Sequence, residues 1–415
     1  MTGDRGPVEG TAPAALSRWS VVGLTLGMSL SAAVFLTGYY MLLPVLPQFL
    51  RASGWQKSTI GALSSVFAVA SLATRPAAGV LVDRSGPSRL LMVCGMLFLA
   101  VPALFTSSGT FLPLVAGQIL AGLCVGAFTV ASNGFLAIVA PVEHMGEITA
   151  WFSIALVAAK GFGSAVGTSL YDGLGYRWVL MFSAVLALLS LVVFLITRRT
   201  ACPGGDGLRR QTAAPAAGSI PGGAARVEAK MNGQAVLLAA LILITVTLSF
   251  GGIVTFMPIM AKERGLAGYG RYFVIQTTVV ILVRLFSGRL VDTLGAFWVI
   301  LVALVALSAG VALLAIATTP ALLVLSAMLY GLGYGASFPS LTATVVQRTP
   351  VATRGRAFGY YTAAQDLGLA LGQACGGLSQ FASFRAIYSG MALGPLLSVA
   401  ILMRLFGPAG RGPRG

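Results

Sequence analysis

Long apolar blocks alternate with short polar clusters along the chain, and the alternation predicts twelve membrane-spanning helices. A helix needs roughly 20 apolar residues to cross about 30 Å of hydrocarbon. Blocks of that kind fall at 19–45, 58–81, 90–107, 111–138, 148–170 and 178–197, and again at 234–260, 268–290, 296–316, 321–345, 357–380 and 385–405. Joints such as Ser107–Thr110 and Thr318–Pro320 are tight, so they join antiparallel neighbours and leave no room for an outer domain. One gap is long: 198–233 is rich in Gly, Pro, Ala and Arg without an apolar period, and reads as a flexible cytoplasmic linker. The polar stretch 1–18 reads as a cytoplasmic tail, and 406–415 as another. The apolar block after residue 18 is too long for a signal-peptide core, so it reads as a retained first helix. The expectation is an all-α membrane protein of two six-helix bundles, 19–197 and 234–405.

The two halves match at a constant shift of 209 residues. The shift takes Arg75 to Arg284, Gly79 to Gly288, Asp83 to Asp292 and Gly86 to Gly295. It also takes Gly122 to Gly331, Gly126 to Gly335, Gly163 to Gly372 and Gly167 to Gly376. Six helices per copy give both copies one orientation, and such repeats place a substrate site between the halves near mid-depth.

Composition narrows the class further. Hydrophobic residues make up 57% and charged residues 9%, too few charges for the surface of a soluble fold of this size. The net charge of +16 follows topology: 17 Lys/Arg fall on the predicted cytoplasmic side, 7 outside and 3 within spans. No basic stripe with interleaved aromatics exists, so a nucleic-acid partner is not expected. The four cysteines form no CxxC pair and there is one histidine, His144, read as a solvated loop residue. Neither a metal site nor a cofactor is expected.

The sharpest motif runs Gly79-Val-Leu-Val-Asp83-Arg84-Ser-Gly86-Pro-Ser-Arg89, in the turn between the second and third spans. A second copy, Gly288-Arg-Leu-Val-Asp292-Thr-Leu-Gly295, keeps the acid and the glycines. Glycines allow a tight turn, and an acid beside arginines at a helix end can hold one closed state and release it in another. At these residues the chain resembles the major facilitator superfamily, over essentially its whole length. The resemblance implies two bundles that rock about a central cavity, a small-molecule substrate, no cofactor and a monomer in the bilayer. It also implies that Asp83 pairs with Arg356 or Arg354 at the start of the eleventh helix. The chain departs from the family's proton-coupled exporters in three places. Gln118 stands where they carry an arginine. The fifth helix has Gly161, Gly163 and Gly167 without their proline. Gln373 stands in the matching row of the eleventh helix.

Four ionisable residues sit well inside spans: Arg75, Lys160, Arg284 and Asp366. Each costs about 2.5–3.5 kcal/mol at mid-membrane, so each should face a cavity or a partner. Asp366 and Lys160 are the candidates for proton coupling, and Lys160 also for substrate contact; the alternative for both is a buried ion pair that fixes packing. Since the second and eleventh helices adjoin in the family, the resemblance makes Arg75 and Asp366 the leading pair. Arg75 and Arg284 read as snorkelling or gate residues. Tyr39, Tyr40, Asn133, Gln276, Tyr330, Tyr334 and Gln365 are candidate cavity residues, each also explicable as packing. Pro44, Pro47, Pro258 and Pro339 are candidate kinks.

The expected function is secondary active transport of a small organic molecule across a bacterial inner membrane, with both termini cytoplasmic. Proton-coupled efflux of a drug or metabolite is the leading form, and a proton-coupled uptake permease or a uniporter the alternative. A membrane enzyme is not expected, because no span carries paired acids, a His cluster or a Ser/His/Asp set. A receptor or scaffold without transport would need a soluble domain that the short loops do not supply.

Overall fold

The computed structural model describes residues 18–106, 110–139, 145–201, 233–350 and 353–406. The two tails, the linker centred on 202–232 and His144 lie outside the described residues. So do the side chains of Asp292, Arg354 and Arg356, and with them both expected partners of Asp83.

The described chain is helical, with no strand. The helices are α1 (Arg18–Ala52), α2 (Lys57–Ser85), α3 (Pro87–Phe98), α4 (Ala100–Thr106), α5 (Phe111–Val139), α6 (Met145–Leu174) and α7 (Tyr176–Ala201). The second half has α8 (Gly233–Glu263), α9 (Gly270–Leu294), α10 (Ala296–Ile316), α11 (Pro320–Gln347), α12 (Arg354–Gly377) and α13 (Phe384–Phe406).

Eleven spans among the described residues are long and apolar enough to cross a membrane by composition alone. The remaining block, the eleventh along the chain, is α12; it is long enough at 24 residues but carries Gln365, Asp366 and Gln373 along its length. Their polarity lowers its hydropathy, and the helix packs on α8 and α2. The third block is broken in the middle. Pro102 offers no N–H to the Phe98 carbonyl, and the Leu99 amide turns to the Met96 carbonyl at 3.2 Å, separating α3 from α4.

The duplication is visible in the packing. In the first half α1 packs on α6 and α7, and α2 on α5; in the second half α8 packs on α12 and α13, and α9 on α11. Close approaches repeat at the same shift. A methyl group added at Gly122 would stand 2.5 Å from the Phe67 carbonyl oxygen; one added at Gly331 would stand 2.7 Å from that of Gln276. The motif turns repeat as well. Gly86 (φ 79°) and Gly295 (φ 82°) adopt a left-handed conformation that a side chain would strain, and their amides cap Val82 and Val291. Large apolar side chains face outward, among them Leu112, Leu397 and Trp298. That distribution suits lipid and not water.

The halves meet along three seams: α1 on α8, α2 on α12, and α6 on α9. The last two are counterparts under the repeat. The helices come close in both, Gly61 against the Gly377 backbone and Gly161 against the Thr277 side chain.

Candidate functional site

All four ion pairs among the described residues join one half to the other. Three lie at the end of the bundle away from the chain termini, here the distal end. Lys57 reaches Glu263 at 2.9 Å, Arg51 reaches the same carboxylate at 3.5 Å, and Lys262 reaches Asp172 at 2.7 Å. Between them the Tyr269 hydroxyl stands 2.7 Å from Asp172 Oδ2 and 2.8 Å from Gln48 Oε1, and donates to one at a time. Burial, followed by this carboxylate, raises the Tyr269 hydroxyl above its ordinary pKa, so it stays a donor. The Lys57 amide donates to Gln380 Oε1 at 3.1 Å, closing the α2 side of the same rim. None of these groups was singled out from sequence. They sit at helix ends, where a charge ordinarily reads as solvated, and only their meeting across the halves distinguishes them.

The fourth pair lies inside the bundle. Arg75 donates from Nε to Asp366 Oδ2 at 2.5 Å and from a terminal nitrogen to Oδ1 at 3.0 Å, a bidentate contact across the α2–α12 seam. The Asp366 side chain is 9% exposed and that of Arg75 27%.

The α6–α9 seam is arranged differently. Arg284 donates to the Ser153 hydroxyl at 2.6 Å, while its Nε is buried and has no hydrogen-bond partner. Lys160 is partly buried. Its ammonium lies 5.6 Å from the centre of the Tyr40 ring, within electrostatic reach of Arg284, Asp366 and Arg75. Arg284 in turn stands over the Phe338 ring at 5.6 Å and near Tyr334 and Tyr361. Ionisable and aromatic side chains from α1, α2, α6, α9, α11 and α12 thus converge between the halves at mid-depth.

The other sequence candidates divide. Tyr39 is buried inside the first bundle, stacked on Phe67 at 4.2 Å, with its hydroxyl unpartnered. Tyr330 is buried, stacked on Tyr334 at 5.9 Å and in contact with Ser249. Gln276 is buried with Oε1 unpartnered, and Gln365 is partly buried beside Asp366. Asn133 is exposed and bonds back to the Thr129 carbonyl. In the loop motif Gly79 is half-buried, while Asp83, Arg84 and Arg89 are exposed at the end that bears the termini. Gly288 lies inside α9, its surroundings outside the described residues. Among the described residues no group of three His, Cys, Asp or Glu could hold a metal.

A duplicated bundle of membrane-spanning length, whose ionic contacts run between its halves, defines a multi-pass membrane transporter. The chain belongs to the Major Facilitator Superfamily, which it matches over residues 28–372 and 240–414. It is 27% identical to an uncharacterized MFS-type transporter of Burkholderia pseudomallei over 340 residues, 79% of this chain and 78% of that one. It is 24% identical to the uncharacterized MFS-type transporter YhhS of Escherichia coli over 372 residues, 87% and 86% of the two chains. Among solved structures it is similar in fold to the human organic anion transporter MFSD10, with TM-score 0.66, 17% identity, and 92% and 99% of the two chains covered. An auto-inhibited POT family peptide transporter gives TM-score 0.71 at 13% identity, with 94% and 98% covered.

Proposed function

We propose that this protein is a secondary active transporter that exports a small organic molecule across the cell membrane in exchange for protons. The carrying observation is the bidentate Arg75–Asp366 pair, the single ion pair among the described residues that is both inside the bundle and shared by the two halves. A carboxylate so placed couples two events. Protonating Asp366 removes its charge, releases Arg75 and lets α2 part from α12; losing the proton restores the contact. Taking the termini as cytoplasmic, the distal rim is the outer gate, and with it closed the central charged residues are reached from the cytoplasm. An exporter collects its cargo in that state.

The test uses right-side-out and inverted vesicles with an imposed pH gradient. Substrate movement opposite to proton flow supports antiport, and movement with it replaces export by uptake. Asp366→Asn should abolish gradient-driven movement while the protein stays folded and inserted. Normal gradient-driven transport in that variant removes Asp366 from the coupling role.

A further inference from the structure

The two seams between the halves are related by the repeat, yet their charges are not. The shift of 209 residues that takes Arg75 to Arg284 takes Val157 to Asp366. Arg75 therefore has an acid opposite it on α12, whereas Arg284 faces an α6 that carries valine at the equivalent place. One turn earlier α6 offers only the Ser153 hydroxyl, and three residues later it offers a second cation, Lys160. Among the described residues the interior thus holds Arg75, Lys160 and Arg284 against Asp366 alone, and the Arg75–Asp366 pair cancels. Two positive charges remain on the α6–α9 side. The other described acids lie elsewhere: Asp172 and Glu263 are committed to the distal rim, and Asp83 is exposed at the opposite end.

Neither remaining cation is fully satisfied by the described residues. Arg284 has its Nε buried without a partner, and the Lys160 ammonium makes no hydrogen bond or ion pair among them, only the ring contact with Tyr40. Two like charges in a low-dielectric gap repel each other, and each is also partly stripped of water. Such an arrangement is stabilised by an anion between them, and an arginine beside a lysine suits a carboxylate. The surrounding rings of Tyr40 and Phe338 add apolar walls for a carbon skeleton.

We propose that Lys160 and Arg284 form the binding site for the negative group of the cargo, which makes the cargo a small organic acid, with the rings of Tyr40 and Phe338 against its apolar body. This rests on the transport reading for the word cargo; the anion site stands on the charge arrangement itself. The Arg75–Asp366 pair stays outside the site, so the proton-linked contact and the substrate contact occupy opposite seams.

The purified full chain in phosphatidylcholine nanodiscs provides the test, with probes matched in shape and differing in charge. Benzoate, benzamide and benzamidine form one set; hexanoate, hexanamide and hexylamine form another. The acids should raise Tm, and the amides and cations should not. Lys160→Gln should weaken acid binding by about tenfold or more, the loss of one charge-assisted contact. Val157→Asp supplies the acid that the repeat lacks. It should pair with Arg284, leave Tm unchanged or higher, and abolish the response to acids. If neither acid stabilises the protein, if the cations do so equally, or if Val157→Asp keeps the full response, the proposal is overturned. Proteoliposome uptake of the same probes separates the two readings. Carriage of benzamidine but not benzoate refutes the anion site and leaves transport standing. Binding of benzoate with no movement of any probe refutes transport and leaves the site.

Discussion

Opening the distal rim must separate all the charged groups that close it, so removing their charges should shift the balance between closed and open states. The perturbation is the double variant Asp172→Asn/Glu263→Gln, which cancels three ion pairs at nearly constant volume. Exposed pairs contribute about 0.2–1 kcal/mol each. The Lys57–Glu263 contact, with a lysine side chain only 11% exposed, belongs at the upper end of that range. The Arg51–Glu263 and Lys262–Asp172 pairs, all about 40% exposed, contribute about half as much each. The amide introduced by Asp172→Asn would still accept from Tyr269, so that contact is not counted. The total is about 2 kcal/mol, or about a thirtyfold shift towards the open rim. Spin labels at Ser53 and Thr318, one on each half at the distal end, read the separation by double electron–electron resonance in a background free of native cysteines. The double variant should gain a longer-distance population. The unaltered protein should gain some of it as salt rises, because exposed pairs are screened within about 10 Å at 0.1 M. If the distance distribution of the double variant matches that of the parent at low salt, the rim charges do not hold the gate.

Three further outcomes follow from packing. Gly161→Ala places a methyl group onto the Thr277 side chain across the α6–α9 seam, and should disfavour closure of the halves by about 1–3 kcal/mol; the exchange Gly161→Ala/Thr277→Gly should restore the parent distance distribution. Phe35→Ala removes a fully buried ring stacked on Phe128 at 4.0 Å and near Phe98 at 4.9 Å, and should lower unfolding stability in detergent by about 3 kcal/mol. Gly86→Ala and Gly295→Ala force a side chain into the same left-handed turn, and each should lower Tm by a comparable amount, corresponding to about 1 kcal/mol; unequal losses would mean the two motif copies no longer play the same backbone role.

The helical architecture was legible because its signals are local. Apolar length sets each span, and the glycines that recur at the 209-residue shift mark where helices touch, as Gly122 and Gly331 do on their partner carbonyls. The break at Leu99 was also local in cause, but Pro102 lies inside an apolar block and the pattern alone reads it as one helix. In α12 hydropathy alone would have lost a span, because Gln365, Asp366 and Gln373 are polar for reasons of the interior. The repeat register recovers it. Contacts between distant helix ends were beyond that reach. Nothing near Lys57, Asp172 or Glu263 in the chain says that they meet, since each neighbours ordinary loop residues and the information is carried by how two bundles lean together.

The repeat also shows where function has pulled the halves apart. Duplication starts the two seams alike, and packing still holds them alike: Gly61 meets Gly377 on one, and at the same register Gly270 meets Thr168 on the other. Shape complementarity constrains both seams, because both must close in the same motion. Charge is not constrained in that way. An acid at the position of Asp366 locks one seam to Arg75, and a valine at Val157 leaves Arg284 unmatched on the other. A purely structural bundle would gain by filling that vacancy or losing the arginine, since an uncompensated charge at mid-membrane costs about 2.5–3.5 kcal/mol. Among the described residues no acid matches Arg284 or Lys160 beside it, and an anionic cargo would supply that negative charge.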